Sequence, residues 1–138
     1  MANNINVILD MSVTPPALDV QDHGGKNHVS VGSGSQTISW ELTGNLAQGA
    51  FQPITSDPST SGFAWLDPQP AAGIFGTPTV GADGNSLDIS DNYTSQNAGT
   101  NAGQWTYVLR VKLGTVVYCT EGDIQRIGTI KDPIIINR

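Results

Sequence analysis

The side chains that most often bind transition metals are few in this chain. His23 and His28 lie in a glycine-rich stretch, and Cys119 is the single cysteine. A zinc site needs three or four ligands, and a blue-copper site has a histidine and a methionine soon after the cysteine. Glu121 and Asp123 follow Cys119 instead. We therefore interpret both histidines as exposed loop residues and expect no cofactor.

Oxygen ligands of the kind that calcium binds are concentrated in one short stretch. They are Asp83, Asn85, Asp88 and Asp91. The spacing departs from that of an EF-hand loop, because Gly84 directly follows Asp83 and no glutamate closes the stretch. An Asp-Gly-Asn sequence is typical of a tight turn. We interpret the stretch as a turn and predict no metal site, and these four residues are the calcium candidate.

Patterns that support catalysis are missing from the sequence. The chain has two glutamates, Glu41 and Glu121, and Glu41 falls on the polar face of a predicted strand. No Gly-x-Ser-x-Gly turn is present, and no glycine-rich phosphate loop follows a strand. Cys119 alternates with Tyr118 in a predicted strand, which is typical of a packed residue rather than a nucleophile. We predict that the protein is not an enzyme.

One tryptophan differs from the others in its surroundings. Trp65 lies in a stretch bounded by prolines, whereas Trp40 and Trp105 lie on the apolar faces of predicted strands and are expected in the core. Many sugar sites place a loop aromatic ring beside Asn or Asp side chains, so that the ring stacks and the polar groups bind hydroxyls. Trp65 and Asp67 are therefore our candidate ligand-binding residues. The competing interpretation is a loop tryptophan that covers the edge of the fold.

Alternation with a period of two residues indicates the elements that must position these side chains. The clearest case is Ile38, Trp40 and Leu42, and the same pattern occurs over residues 5–13, 29–31 and 87–89. Residues 105–120 read as a β-hairpin that turns at Gly114. The prolines between 53 and 78 indicate edge strands or loops there.

These elements predict one all-β domain over residues 1–138. The expected architecture is an antiparallel two-sheet β-sandwich, immunoglobulin-like in the broad sense, with a jelly roll or a small barrel as the alternative. A chain of 138 residues is long enough to bury a core without disulfides.

Charge and hydropathy exclude some partners and suggest a compartment. The formal net charge of −6 makes the protein acidic and should repel phosphate backbones, so we predict no nucleic-acid partner. No stretch approaches the roughly 18 apolar residues of a membrane span, so we predict no membrane partner. The first residues lack the basic region of a signal peptide, and the lone cysteine fits a reducing environment. We expect a cytoplasmic protein, or one exported without a cleaved signal.

The C-terminal part carries a resemblance to a known family. Residues 105–111, the turn at Gly114, Tyr118 and the run Ile-Lys-Asp-Pro-Ile-Ile-Ile-Asn over 130–137 resemble the DP-EP family of small bacterial β-proteins. In that family a strand hairpin leads to an Asp-Pro-x-Ile-x-Asn ending. The resemblance covers roughly the last 35 residues. The chain departs from it at Arg138, where the family has Glu-Pro after the asparagine. The resemblance implies a bacterial β-sandwich and no particular activity.

The last strand of that run is predicted to lie at a sheet edge. Ile134 and Ile136 are assigned to the inner face and Ile135 to the outer one. Pro133 lacks an N–H, which is tolerated at an edge. Ile135 is therefore our interface candidate for a homodimer formed across a two-fold axis, and a covering loop is the alternative.

Taken as a set, these observations predict a non-enzymatic binding or structural module of uncharacterised bacterial type. A carbohydrate-binding lectin that uses Trp65 and nearby polar residues, with a glycan as its partner, is the alternative. A small enzyme of unknown chemistry is the third interpretation.

Overall fold

The computed structural model describes residues 2–14, 16–21, 26–66, 68–120 and 133–138, and the regular structure in them is nearly all β. The strands are β1 (Ala2–Asp10), β2 (Ala17–Val20), β3 (Lys26–Val29), β4 (Gln36–Leu42), β5 (Ala50–Phe51), β6 (Phe63–Trp65), β7 (Thr79–Val80), β8 (Ser86–Asp91), β9 (Gly103–Leu113), β10 (Val116–Cys119) and β11 (Ile134–Asn137). A short helix α1 (Ala98–Asn101) precedes β9. The strands form two sheets that share one apolar core, so the predicted β-sandwich is confirmed.

The first sheet has the strand order β2-β1-β4-β8-β7. Its inner face is formed by alternate residues of the three central strands, as the period of two predicts. The buried residues are Ile5, Val7, Leu9, Ile38, Trp40, Leu42, Leu87 and Ile89. Strand β1 ends at Asp10, so the predicted continuation to Val13 is wrong and Met11 is 65% exposed.

The second sheet is built around the long strand β9. Strands β5 and β6 pair with one edge of β9, where the Arg110 N–H donates to the Gly62 carbonyl. Strands β10 and β11 pair with different halves of the other edge, where the Tyr107 N–H donates to the Pro133 carbonyl. Strand β3 lies outside β11. The predicted hairpin over 105–120 is confirmed, with Gly114 at a φ of 65° in the turn.

The proline-bounded strands lie at sheet edges, as predicted. Among the described residues, β5 and β6 pair only with β9, and β7 pairs only with β8. Proline lacks the N–H that a central strand needs on one of its sides, which explains why the flanking prolines confine these segments to edges.

The centre of the core joins the two sheets through an aromatic hydrogen bond. The Trp40 indole Nε1 donates to the Tyr107 hydroxyl over 2.9 Å, and both side chains are fully buried. The prediction that Trp40 lies in the core is confirmed. Trp105, predicted in the core as well, is only half-buried.

The predicted purely antiparallel arrangement is wrong for two strand pairs. β1 runs parallel to β4, and β3 runs parallel to β11, so both sheets are mixed. A parallel pair needs a crossover connection, and β2 and β3 lie between β1 and β4 in the chain. Alternation of apolar residues is the same in both pairings and cannot indicate strand direction. The immunoglobulin-like detail stays a prediction.

The predictions for the last strand are also wrong. Strand β11 is not an edge, because β9 pairs with one side of it and β3 with the other. Ile135 is fully buried in the core, whereas Ile134 and Ile136 on the opposite face are half-buried. Ile135 is therefore unavailable as an interface residue, and it is not a surface position covered by a loop. The face assignment is inverted because Asn137, a polar residue, shares the buried face.

Candidate functional site

Trp65 lies in an edge strand rather than in a loop. It is the last residue of β6 and pairs in register with Tyr107, which directs its ring toward the core face of the second sheet. The ring is half-buried and meets Phe63 edge-on at a centroid distance of 5.0 Å. Asp67, the other predicted ligand-binding residue, lies outside the described residues.

Three half-buried aromatic rings form a row along one side of the sandwich, with Phe75 in contact with a tryptophan on each side. Trp65 meets Phe75 at a centroid distance of 4.6 Å, and Phe75 meets Trp105 edge-on at 5.3 Å. Trp65 and Phe75 pack against the core, and all three residues are partly exposed to solvent. We call Trp65, Phe75 and Trp105 the aromatic strip. The sequence marked Trp65 but gave no signal that Phe75 and Trp105 would join it.

The segment that carries Phe75 bridges the two sheets. The Phe75 backbone pairs with Asp91 on the first sheet, while its ring touches tryptophans of the second sheet. Two further hydrogen bonds of this segment are made by uncharged groups. The Gly76 N–H donates to the Ser90 carbonyl, and the exposed Asn92 side chain donates to the Gly73 carbonyl over 3.4 Å. Neutral backbone and amide groups therefore hold the Phe75 segment in place.

Directly behind Phe75, polar side chains meet inside the sandwich. Asp91 of β8 and Asn137 of β11 are 0% and 1% exposed and belong to different sheets. Asn137 Nδ2 donates to Asp91 Oδ1 and to the Asn101 carbonyl, each over 3.0 Å. Asn101 Nδ2 donates in turn to the Asn92 carbonyl over 2.7 Å. We call Asp91, Asn137 and Asn101 the buried polar cluster.

Burial changes the pKa of Asp91, the one ionisable residue of the buried polar cluster. Desolvation raises the pKa of Asp91 to about 6, although the hydrogen bond from Asn137 acts in the opposite direction. The sequence marked Asp91 only as a calcium candidate and did not indicate Asn137 or Asn101. The sequence did indicate that Asp91 is buried, because it follows Leu87 and Ile89 at the two-residue spacing of one strand face.

The four calcium candidates do not converge on one point. Asp83 lies in an exposed turn, where its Oδ1 accepts from the Asn85 N–H over 2.9 Å. Asp88 is exposed and accepts from the Ser39 hydroxyl over 2.6 Å. Asp91 faces the core, on the opposite side of β8 from Asp88. The predicted turn is present, and its side chains are engaged in hydrogen bonds, Asp83 with the Asn85 N–H and Asn85 with the Ala47 carbonyl.

The other chemically active residues are also dispersed. His28 is exposed on β3, Cys119 is half-buried in β10, and His23 lies outside the described residues. In the part of the chain that the structure describes, no three His, Cys, Asp or Glu side chains lie close enough together to hold a metal ion. No helix there is long and apolar enough to cross a membrane.

Comparison with known proteins gives no match, either to a family model or to a curated protein. The resemblance of the C-terminal part to the DP-EP family therefore stays a prediction. Its hairpin corresponds to β9 and β10 and its terminal isoleucine run to β11.

Proposed function

We propose that this protein is a non-enzymatic binding module and that it holds a carbohydrate against the aromatic strip. The observation that carries the proposal is the contact of three half-buried rings along one side of the sandwich. A pyranose ring has an apolar face that stacks on an aromatic side chain and hydroxyls that need polar partners. A row of aromatic rings with nearby hydrogen-bonding groups fits that chemistry.

The surroundings of the strip support an uncharged ligand. The groups that hydrogen-bond to the Phe75 segment, the Ser90 carbonyl and the Asn92 amide, are neutral, and only 13% of all residues in the chain are charged. Amide and carbonyl groups supply the donors and acceptors that sugar hydroxyls need. A phosphorylated or strongly acidic ligand would find no basic group among these neighbours.

Among the described residues, the positions of the carboxyl groups of β8, the strand beside Phe75, support binding without catalysis. Hydrolysis of a glycosidic bond uses two carboxyl groups that face the same substrate. Asp91 lies behind Phe75 but is fully buried, and Asp88 faces away from it on the other side of β8. The two carboxyl groups therefore cannot face the same ligand on the strip, as glycoside hydrolysis would require.

The test is a glycan array followed by titration of the best ligand. We expect the wild-type protein to bind at least one class of glycan. Trp65→Leu and Trp105→Leu each remove a stacking ring and should weaken binding at least tenfold, or about 1.4 kcal/mol. Val117→Thr is the matched control, because Val117 is 45% exposed on β10 and is not part of the strip.

Circular dichroism spectra and melting curves first establish that each variant is folded, since Trp65 also packs on the core and Trp105 packs on Phe75. The proposal is contradicted if the array shows no binding above background. It is equally contradicted if folded Trp65→Leu and Trp105→Leu bind the selected glycan as tightly as the wild type does.

A further inference from the structure

The hydrogen bonds of the buried polar cluster leave two oxygen atoms unsatisfied. Both hydrogens of Asn137 Nδ2 are in use, one toward Asp91 Oδ1 and one toward the Asn101 carbonyl. This pattern fixes the orientation of the Asn137 amide, because its oxygen could not donate to either acceptor. Asp91 Oδ2 and Asn137 Oδ1 are then buried without a hydrogen-bond partner.

Both unsatisfied atoms are acceptors when Asp91 is charged. They belong to two groups that already face each other through the 3.0 Å contact between Asn137 Nδ2 and Asp91 Oδ1. A buried acceptor that lacks a donor destabilises the folded state, and a buried carboxylate without a counter-charge destabilises it further. What the pair lacks is one hydrogen.

We propose that Asp91 takes up a proton from solvent on folding and that its neutral carboxyl group forms a cyclic pair with the Asn137 amide. In this pair Asp91 Oδ2–H donates to Asn137 Oδ1, while Asp91 Oδ1 accepts from Asn137 Nδ2. One proton satisfies both orphan oxygens and removes the buried charge. The ring joins β8 of the first sheet to β11 of the second, and it releases the proton to solvent when the pH rises.

The electrostatic surroundings agree with a neutral carboxyl group. The described elements packed against Asp91 present Gln36, Phe75, Asn137 and Asn101, none of which is charged. Among the described residues of β3, β4, β8 and β11 and at their ends, the other ionisable side chains are exposed, apart from the buried Tyr93: Lys26, His28, Glu41, Asp88 and Arg138. Strand β9, which pairs with β11, carries the buried Tyr107, the exposed Lys112 and the half-buried Arg110, which donates to the Pro58 and Ser61 carbonyls. No cation among them stabilises the carboxylate, and desolvation raises the pKa of Asp91 to about 6 from its ordinary value of 3.8.

The sign of the resulting pH dependence is opposite to ordinary acid unfolding. The folded state holds the proton up to about pH 6, whereas the unfolded chain releases it near pH 3.8. The stabilisation is therefore complete below the unfolded value and is lost as the pH rises through about 6. Above that pH the contribution of Asp91 stays constant, because the group is ionised in both states.

The test compares the wild type with Asp91→Asn. An amide at position 91 cannot ionise and still offers Asn137 Oδ1 a donor, so it imitates the protonated acid. Between pH 5 and 7.5, above the isoelectric point of about 4.4, the Tm of the wild type should fall by a few degrees relative to that of the variant. At pH 7.5 the variant should melt at the higher temperature, and the gap should narrow toward pH 5.

Two further variants serve as controls. Asp88→Asn changes an exposed carboxyl group on the outer face of the same strand and should keep the wild-type profile. Asp19→Asn removes a second group whose pKa is raised, by partial burial and by the charge of Asp10. Its melting profile shows how much of the pH dependence of the Tm arises from Asp19.

A measurement on the unmodified protein makes the test independent of how the variants fold. The carboxyl carbon resonance of Asp91 should titrate near pH 6 in the folded protein, and the side-chain amide of Asn137 should shift with the same midpoint. Titration of Asp91 near 3.8, an Asn137 amide that does not follow it, or parallel melting profiles for the wild type and Asp91→Asn would each overturn the proposal.

Discussion

Trp40 is the side chain on which the two sheets meet. Its ring lies 5.2 Å from that of Tyr107 and 5.4 Å from that of Phe63, and no part of it is exposed. Ile38 and Leu42 flank it on the same face of β4. The core is therefore organised around a large aromatic residue whose polar atom is satisfied by a hydrogen bond within the core.

We expect Trp40→Ala to lower the free energy of unfolding by about 3–5 kcal/mol, because it leaves a large cavity and removes a buried hydrogen bond. Urea melts followed by circular dichroism measure the change. Met11→Ala is the control, since Met11 is 65% exposed and its truncation should cost less than about 0.5 kcal/mol. A loss below about 1 kcal/mol for Trp40→Ala would show that the core is assembled differently.

At the same scale, Asn137 shows where inference from the sequence stops. Three successive isoleucines offer both faces of β11 an apolar side chain, so only the neighbours can decide which face is buried. If apolar residues are expected inside and polar residues outside, the face that carries Ile135 and Asn137 is assigned to the surface. That face is the buried one, because Asp91 and the Asn101 carbonyl, far away in the sequence, accept hydrogen bonds from Asn137.

At the scale of elements, β11 occupies an inner position in its sheet. Its residues pair with β9 on one side and with β3 on the other. A charge on its buried face would have no solvent and no counter-ion, whereas a charge on its other face could reach water along a flexible side chain. The two faces should therefore respond very differently to the same substitution.

Ile135→Lys should destabilise the protein by at least about 3 kcal/mol or prevent folding, because it places an unpaired charge in the core. Ile136→Lys is the matched control on the half-buried face and should cost much less. Thermal melts of the two variants side by side give the comparison. Equal losses, or a larger loss for Ile136→Lys, would contradict the observed register.

The connection between β5 and β6 depends on a close backbone contact. A Cβ atom at Gly62 would collide with the backbone carbonyl oxygen of Gln52, which cannot move away as a flexible side chain could. We expect Gly62→Ala to cost about 1–3 kcal/mol in unfolding free energy. Gly99→Ala in α1 meets nothing within 4 Å and should leave the stability unchanged or raise it slightly. If Gly62→Ala leaves the free energy of unfolding unchanged, the backbones of Gly62 and Gln52 are farther apart than the structure shows.

The elements with clean alternation were predictable, and their partners were not. Strand β4, strand β8 and the β9–β10 hairpin follow from local patterns of apolar residues and a glycine turn. The two parallel pairs, β1 with β4 and β3 with β11, depend on how distant segments meet. The candidate site was predictable only in Trp65, because the positions of Phe75 and Trp105 beside it depend on the same long-range packing.

At the scale of the whole molecule, stability is expected to come from packing and hydrogen bonds alone. Among the described residues, no three His, Cys, Asp or Glu side chains are grouped so that they could hold a metal ion. We therefore expect EDTA to leave the Tm unchanged in a thermal melt. A drop of several degrees that calcium restores would contradict this and would direct attention back to the turn at Asp83.

The inner position of β11 also bears on the order in which the chain can assemble. Strands β1, β2 and β4 come from one stretch near the start of the sequence and can pair as soon as that stretch exists. Strand β3 is made in the same period, but its pairing partner is β11, at the other end of the sequence. Pairing β3 with β11 closes a loop of about a hundred residues, which is slow. The edge of β3 therefore stays unpaired while most of the chain is synthesised. We expect the first sheet to serve as the template on which the second is completed late, with β3 vulnerable to proteases and to misassociation until then.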